Sequence, residues 1–123
     1  MNFRLKTSKV TGEKLAELQS TTSLTWNILS RIAVSLSLRD PSMPPLVENK
    51  SGVDIHRNAM TGENDYIYKA LIRQHAQRNV LDEEYFPDLF NAHLERGIVL
   101  LDIEYRHAGN YEKLLNNLIT MGN

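Results

Sequence analysis

Hydrophobic and polar positions alternate at the start of the chain, where Phe3 and Leu5 are interleaved with Arg4 and Lys6. A period of two is typical of a strand, so the stretch NFRLKTS, residues 2 to 8, predicts a short strand or extended segment. The segments that follow have a longer period. The pattern therefore predicts a mainly α fold with one short strand at its N-terminus.

Apolar residues later recur at the three- and four-residue spacing of a helix, which predicts about five helices. They cover about residues 9–19, 24–38, 63–78 and 83–107, with a last short helix around residues 111–119. The stretch DPSMPPLVENKSG, residues 40 to 52, is predicted to be a loop because its prolines interrupt a helix. Pro87 falls in a first helical turn, where proline is tolerated. Residues 1–123 are expected to form a single compact domain.

The second predicted helix is apolar on almost every side. One broad face carries Leu24, Ile28, Leu29, Ile32, Ala33 and Leu36. Val34 and Leu38 lie on the opposite side, and a helix that is apolar all round is a buried one. In a small chain, burial of both sides calls for another subunit, so the helix is predicted to belong to the core and to a subunit interface.

Composition narrows the class of protein. With 41% hydrophobic and 24% charged residues, the chain is typical of a soluble globular protein, and its longest apolar run, Ile98–Leu101, is too short to span a membrane. No secretory signal is recognisable, so a cytoplasmic protein is expected. The absence of cysteine excludes disulfides, thiolate metal sites and a thiol nucleophile.

The sequence carries no recognisable signature of an enzyme. Its four histidines lack the spacing of paired metal ligands, and there is no phosphate-cradling glycine loop or nucleophile elbow. Asp82, Glu83 and Glu84 are typical of the acidic first turn of a helix. No catalytic residue, metal site or cofactor is therefore expected.

Charge is distributed unevenly along the chain. The net charge is −1 overall, but residues 1 to 39 carry six basic and two acidic residues, or +4, which leaves −5 for the remainder. A polarised chain can present a basic face to a polyanion such as DNA. A chance distribution of solvated charge is the alternative.

Two features point towards DNA. A basic strand followed by two helices resembles the start of a ribbon-helix-helix DNA reader, in which Arg4 and Lys6 would point outward into the major groove. Lysines, hydroxyls and backbone N–H groups are also typical partners of phosphate oxygens. The candidate phosphate contacts are Lys6, Lys9 and Lys14, with Arg4 and Arg31 as weaker candidates and the turn hydroxyls Thr21, Thr22 and Ser23 beside them.

Three stretches together carry a family resemblance. They are RLKTSKVTGEKLAELQSTTSLTWNILSRIAVSLSL, HRNAMTGENDYIYKALIRQH and HLERGIVLL. The first is similar to the basic strand, helix, threonine-rich turn and W-N-x-L-x-R-x-A helix that open the DndE family of DNA sulfur-modification (phosphorothioation) proteins. The others are similar to its N-x-x-T-x-x-G-E segment and its H-x-x-R-G-I stretch. The family commonly has glycine where Ser23 stands and often cysteine where Ser30 stands.

The resemblance implies a helical homotetramer that binds double-stranded DNA, with a preference for nicked DNA. The missing enzyme signatures and cysteines agree with a non-catalytic, DNA-engaging subunit. The resemblance also implies work beside other proteins of the sulfur-modification machinery: a cysteine desulfurase, a sulfur-transfer protein and an ATPase. Arg96, in the third stretch, is expected to be a structural ion-pairing residue. The alternative functions are a ribbon-helix-helix transcription factor, an oligomeric scaffold without DNA affinity, and, least supported, a nuclease.

Overall fold

The computed structural model describes residues 3–121, which form a mainly helical domain with two short strands. The strands are β1 (Arg4–Lys6) and β2 (Asp54–His56), and the helices are α1 (Lys9–Thr22), α2 (Trp26–Leu38), α3 (Arg57–Thr61), α4 (Asp65–Ala76), α5 (Phe90–Ala108) and α6 (Tyr111–Met121). The mainly α fold is confirmed, and the short α3 is the helix that the sequence pattern missed. Within residues 3–121, no helix is long and apolar enough to cross a membrane.

The predicted N-terminal strand is confirmed as β1, although Asn2, the first residue of the predicted stretch, lies outside the described residues. β1 pairs in antiparallel register with β2, with Leu5 opposite Ile55. These two side chains are buried against the core, so the alternation of a strand turns their neighbours outward. β2 was not predicted: the sequence pattern assigned no element to residues 53–62, where it lies.

Helices α2 and α5 cross at the centre of the fold with their backbones in contact. A Cβ atom placed on Gly97 would lie 1.8 Å from the carbonyl oxygen of Ala33, so only glycine fits this crossing. The core around it consists of apolar side chains from all the main helices, among them Leu29, Leu94 and Ile98. The H-x-x-R-G-I stretch is therefore a packing element of α5.

Arg96 and His93 hold the C-terminus of α2 in place. The Arg96 guanidinium donates to the Ser37 carbonyl (2.8 Å), the Ser37 hydroxyl (2.8 Å) and the Ser42 carbonyl (2.7 Å). His93 Nδ1 lies 2.8 Å from the same hydroxyl. The last carbonyl groups of a helix lack hydrogen-bond donors within the helix, and Arg96 supplies donors at the end of α2. The expectation that Arg96 is structural is confirmed, and its ion pair is with Asp40 at 3.5 Å.

The interpretation of Val34 as part of a subunit interface is wrong. Val34 is completely buried in the core of a single chain, and Leu38 packs on the edge of that core. Helix α5 packs along α2 within the same chain, whereas Ile28 of α2 is 41% exposed. That α2 also lies at a subunit interface stays a prediction.

The fourth predicted helix, residues 83–107, begins later than expected. Phe86 has an extended backbone (φ −133°, ψ 124°) and a cis bond to Pro87, and the regular helix α5 starts at Phe90. A residue before proline is disfavoured in the helical conformation, because the proline ring collides with it. The break allows Phe86 to bury its ring 5.7 Å from that of Phe90.

Candidate nucleic-acid interface

The outward face of the small sheet carries the first group of predicted contacts. Arg4 and Lys6 of β1 point away from the core on either side of the buried Leu5. Arg4 forms a 3.5 Å ion pair with Asp54 of β2, but both side chains are largely exposed, so solvent screens this pair. Lys6 forms no ion pair within residues 3–121. The predicted strand thus presents its cations to solvent.

The loop after α2 brings another lysine to this face. Asn49 Oδ1 accepts from the backbone N–H of Lys9 at 3.1 Å, which ties the loop to the start of α1. Gly52 donates to the Thr7 carbonyl at 2.9 Å, and a Cβ atom there would lie 2.2 Å from the Ser8 carbonyl oxygen. Only glycine permits so close an approach.

Lys50 therefore lies in the same region as the N-terminal cations. Lys6 and Lys50 line a common cavity of about 200 Å³, with Asp88 and Asn91 in its wall. We call Lys6, Lys9 and Lys50 the basic cluster; all three are exposed, and none forms an ion pair within the described part of the chain. Sequence reasoning missed Lys50, because the contact that places it joins positions 40 residues apart.

Lys14 does not join the basic cluster. Its Nζ lies 2.7 Å from Asp102 Oδ2 of α5, and its side chain is only 25% exposed. Burial tends to raise the pKa of Asp102, but hydrogen bonds from Lys14 and Arg106 outweigh burial and leave the pKa below its usual value. The charge of Lys14 is thus compensated within the chain.

The turn hydroxyls lie at the far end of α1. Fourteen residues at about 1.5 Å each separate Lys9 from this turn by about 20 Å. Thr22 is buried and donates to the Leu18 carbonyl at 2.6 Å, and Thr21 is exposed but donates to the same carbonyl at 3.4 Å. Ser23 adopts a left-handed conformation with φ 63° and ψ 9°, which explains why glycine suits this position.

Exposed Glu13 and Glu17 lie on α1 between the basic cluster and the turn. Arg31 lies apart from both: its Nε donates to the Met60 carbonyl at 2.9 Å, and it lines a groove beside α6. The structure therefore separates the predicted contacts. Arg4, Lys6 and Lys9 are brought together with Lys50, whereas Lys14, Arg31 and the turn hydroxyls lie elsewhere.

Arg57, a basic residue outside the N-terminal region, is engaged by carboxylates within the chain. It is 7% exposed and donates paired hydrogen bonds to Asp65 (3.0 and 2.7 Å) and Asp82 (2.9 and 2.8 Å). The hydrogen bonds from Arg57 lower the pKa of Asp82 to about 2. Within residues 3–121, no three His, Asp or Glu side chains are arranged to hold a metal ion.

Comparison with known proteins gives a family and a fold. The family model described as DNA sulphur modification protein DndE matches residues 4–110. A crystal structure of DndE from Escherichia coli B7A, involved in DNA phosphorothioation modification, superposes with a TM-score of 0.68 at 20% identity, over 82% of this chain and 97% of that one. A crystal structure of a DndE mutant gives a TM-score of 0.64 at 19% identity, over 83% of this chain and 98% of that one. No curated protein sequence matches.

Proposed function

Since the chain belongs to the DndE family of DNA sulphur modification proteins, we propose that it takes part in DNA phosphorothioation as a DNA-binding subunit without catalytic activity. It binds duplex DNA with a preference for a nicked duplex, as a homotetramer, beside the other proteins of the sulfur-modification machinery. The exposed and unpaired basic cluster is the observation that carries the DNA-binding part of this proposal.

The chemistry of the basic cluster favours the phosphate backbone as its target. Ammonium groups on long flexible stems contact phosphate oxygens as point charges and carry no sequence information directly. Arg4 adds a fourth cation whose charge is partly offset by Asp54. The cluster is held by backbone and Asn49 contacts, so it exists before DNA arrives.

A ribbon-helix-helix reader of a specific operator receives less support. In such readers a two-stranded ribbon enters the major groove. Here β1 pairs with β2 of its own chain, and that pairing places Asp54 on the outward face next to Lys6. A carboxylate there opposes deep entry between two rows of phosphates. Backbone contact fits this face better than groove reading.

The test compares binding of the protein to one DNA sequence in nicked, intact and single-stranded form, with fluorescence anisotropy as the readout. Lys6→Ala/Lys9→Ala/Lys50→Ala is expected to weaken binding to nicked and intact duplex alike, because it removes three phosphate contacts. Arg39→Ala/Arg73→Ala/Lys113→Ala removes the same charge elsewhere and is expected to retain most of the affinity. Equal losses in both variants would mean that the basic cluster is not the site.

The absence of catalysis has a separate test. The purified protein, incubated with supercoiled plasmid and Mg²⁺ or Mn²⁺, is expected to leave the DNA uncut. Cleavage that disappears when one of its own carboxylates is replaced would contradict this part of the proposal and leave the DNA-binding part standing.

A further inference from the structure

An apolar groove lies between α2, α4 and α6, away from the basic cluster. Its volume is about 460 Å³. Its apolar walls are formed by Ile32 and Leu36 of α2, Tyr68 of α4, and Leu115, Leu118 and Ile119 of α6. Ile119 is 68% exposed, so a large apolar side chain at the mouth of the groove has no cover within the described chain.

Two arginines give this groove a positive rim. Arg31, Ser35 and Arg39 follow one side of α2 at four-residue intervals, which places the two arginines about 12 Å apart along the helix. Neither arginine forms an ion pair with a carboxylate within residues 3–121. An occupant that matches these walls has an apolar face and negative charges about two helical turns apart.

Helix α6 makes the groove a feature beyond the part of the chain that matches the family. The family match ends at residue 110, and α6 begins at Tyr111. Leu114 anchors α6 in the core, while Leu115, Leu118 and Ile119 are left along the groove. Without α6 the groove would lose the wall that faces α2, so this chain carries a docking surface that residues 4–110 alone do not form.

We propose that this groove binds an acidic amphipathic helix of a partner protein. Leucine-like side chains of that helix pack between α2 and α6, and its carboxylates pair with Arg31 and Arg39. An apolar stripe flanked by charge is the usual form of helix-in-groove recognition. DNA fits less well, since phosphates gain nothing from the apolar floor that the groove offers.

The experiment uses a labelled helical peptide with leucines at positions i, i+3, i+4 and i+7 and glutamates eight residues apart beside that stripe. A second peptide has lysine at each glutamate position. The acidic peptide is expected to bind the full chain at least about tenfold more tightly than the basic one, because only the acidic one complements the rim. Equal binding of the two peptides, or no binding of either, would overturn the proposal.

Matched variants locate the site. Ile119→Asp is expected to weaken binding of the acidic peptide by about tenfold, through loss of apolar contact and repulsion, whereas Ile103→Asp, at a 56% exposed site on α5, should not. Arg39→Glu is expected to weaken binding by about threefold to tenfold and to improve binding of the basic peptide, whereas Arg73→Glu on α4 should do neither.

Two further outcomes would reassign the groove. If Ile119→Asp lowers the mass of the protein in light scattering while Ile103→Asp does not, the groove is occupied by a second copy of this chain. If Arg39→Glu weakens duplex binding as strongly as replacement of the basic cluster does, the rim contacts DNA. Failure of the DNA-binding proposal would appear instead in the lysine variants, which leave the groove intact.

Discussion

At the scale of single residues, buried charge is concentrated at Arg57. Its guanidinium pairs with Asp65 and Asp82 and lies 5.1 Å from the centre of the Tyr85 ring. These contacts join α3 to the start of α4 and to the segment before α5. The Arg57 guanidinium is therefore engaged in the interior and is not a candidate for contact with DNA.

Arg57→Ala is expected to reduce the free energy of unfolding by about 3 kcal/mol, because it leaves two partly buried carboxylates without their partner. The figure lies at the lower end for a buried pair, since the side chains of Asp65 and Asp82 keep 30% and 21% exposure. Urea denaturation measures it. Arg78→Ala breaks the exposed pair with Glu84 and should change little; an equal loss in both variants would refute this account of Arg57.

His93 makes stability depend on pH. It is fully buried, and burial, followed by the nearby charges of His75 and Arg96, lowers its pKa from 6.5 to about 4. Between these values the unfolded chain binds a proton that the folded chain does not. The contribution of neutral His93 is therefore complete above about pH 6.5 and is lost as the pH falls towards 4.

Denaturation at a series of pH values should show the effect. The free energy of unfolding is expected to fall by about 1.4 kcal/mol for each pH unit between about 6.5 and 4. His93→Gln removes the titrating group, so its stability, whatever its absolute value, should vary less across that window. An unchanged slope in the variant would assign the pH dependence to other groups.

At the scale of elements, the central contact is the crossing of α2 and α5. Gly97→Ala is expected to destabilise the protein by about 3 kcal/mol, because the new Cβ would lie 1.8 Å from the Ala33 carbonyl oxygen and the helices would have to separate. Val99→Ala, at a 43% exposed position on the same helix, serves as the control and should stay within about 0.5 kcal/mol. Thermal unfolding of both variants measures the two losses of stability. A Gly97→Ala protein as stable as the unaltered one would contradict this close crossing of α2 and α5.

The hydrophobic period alone was sufficient to predict β1, α1, α2, α4, α5 and α6, although the start of α5 lies seven residues later than predicted. The two elements that it missed, β2 and α3, directly follow the proline-containing loop, in a stretch to which no element was assigned. At Phe86 two signals conflict. Its place in an apolar stripe predicted a helix, whereas the following proline and the burial of its ring favoured an extended backbone. Val34 shows a limit of the method: a helical wheel indicates that a face is apolar but not which element covers it.

The candidate interface was predictable only where its residues are neighbours in the chain. Arg4, Lys6 and Lys9 lie on one strand and the helix after it, so they were found together. Lys50 depends on contacts across 40 residues, and the internal pair that compensates Lys14 joins positions 88 residues apart. Spacing along a single sequence carries no information on such contacts.

Ser30, where the family often has cysteine, is buried and donates to the Trp26 carbonyl, as expected for a structural position.

At the scale of the whole molecule, the number of basic clusters on one duplex determines how binding responds to salt. Each phosphate neutralised on duplex DNA contributes about −0.9 to the slope of log affinity against log salt. One cluster of three lysines predicts a slope of about −2.7, and two clusters of a symmetric oligomer on the same duplex predict about −5.4. The slope therefore reports on assembly as well as on the site.

Light scattering is expected to give the mass of a tetramer, and a salt titration of that species on nicked duplex is expected to give the steeper slope. Lys6→Ala/Lys9→Ala/Lys50→Ala should flatten the slope because it removes the groups that displace counterions, with the tetramer intact. A monomer in light scattering would remove the tetramer from the proposed function. A steep slope that survives in an intact triple variant would move the DNA to another surface. A flattened slope in Arg39→Ala/Arg73→Ala/Lys113→Ala would then place the DNA beside those residues.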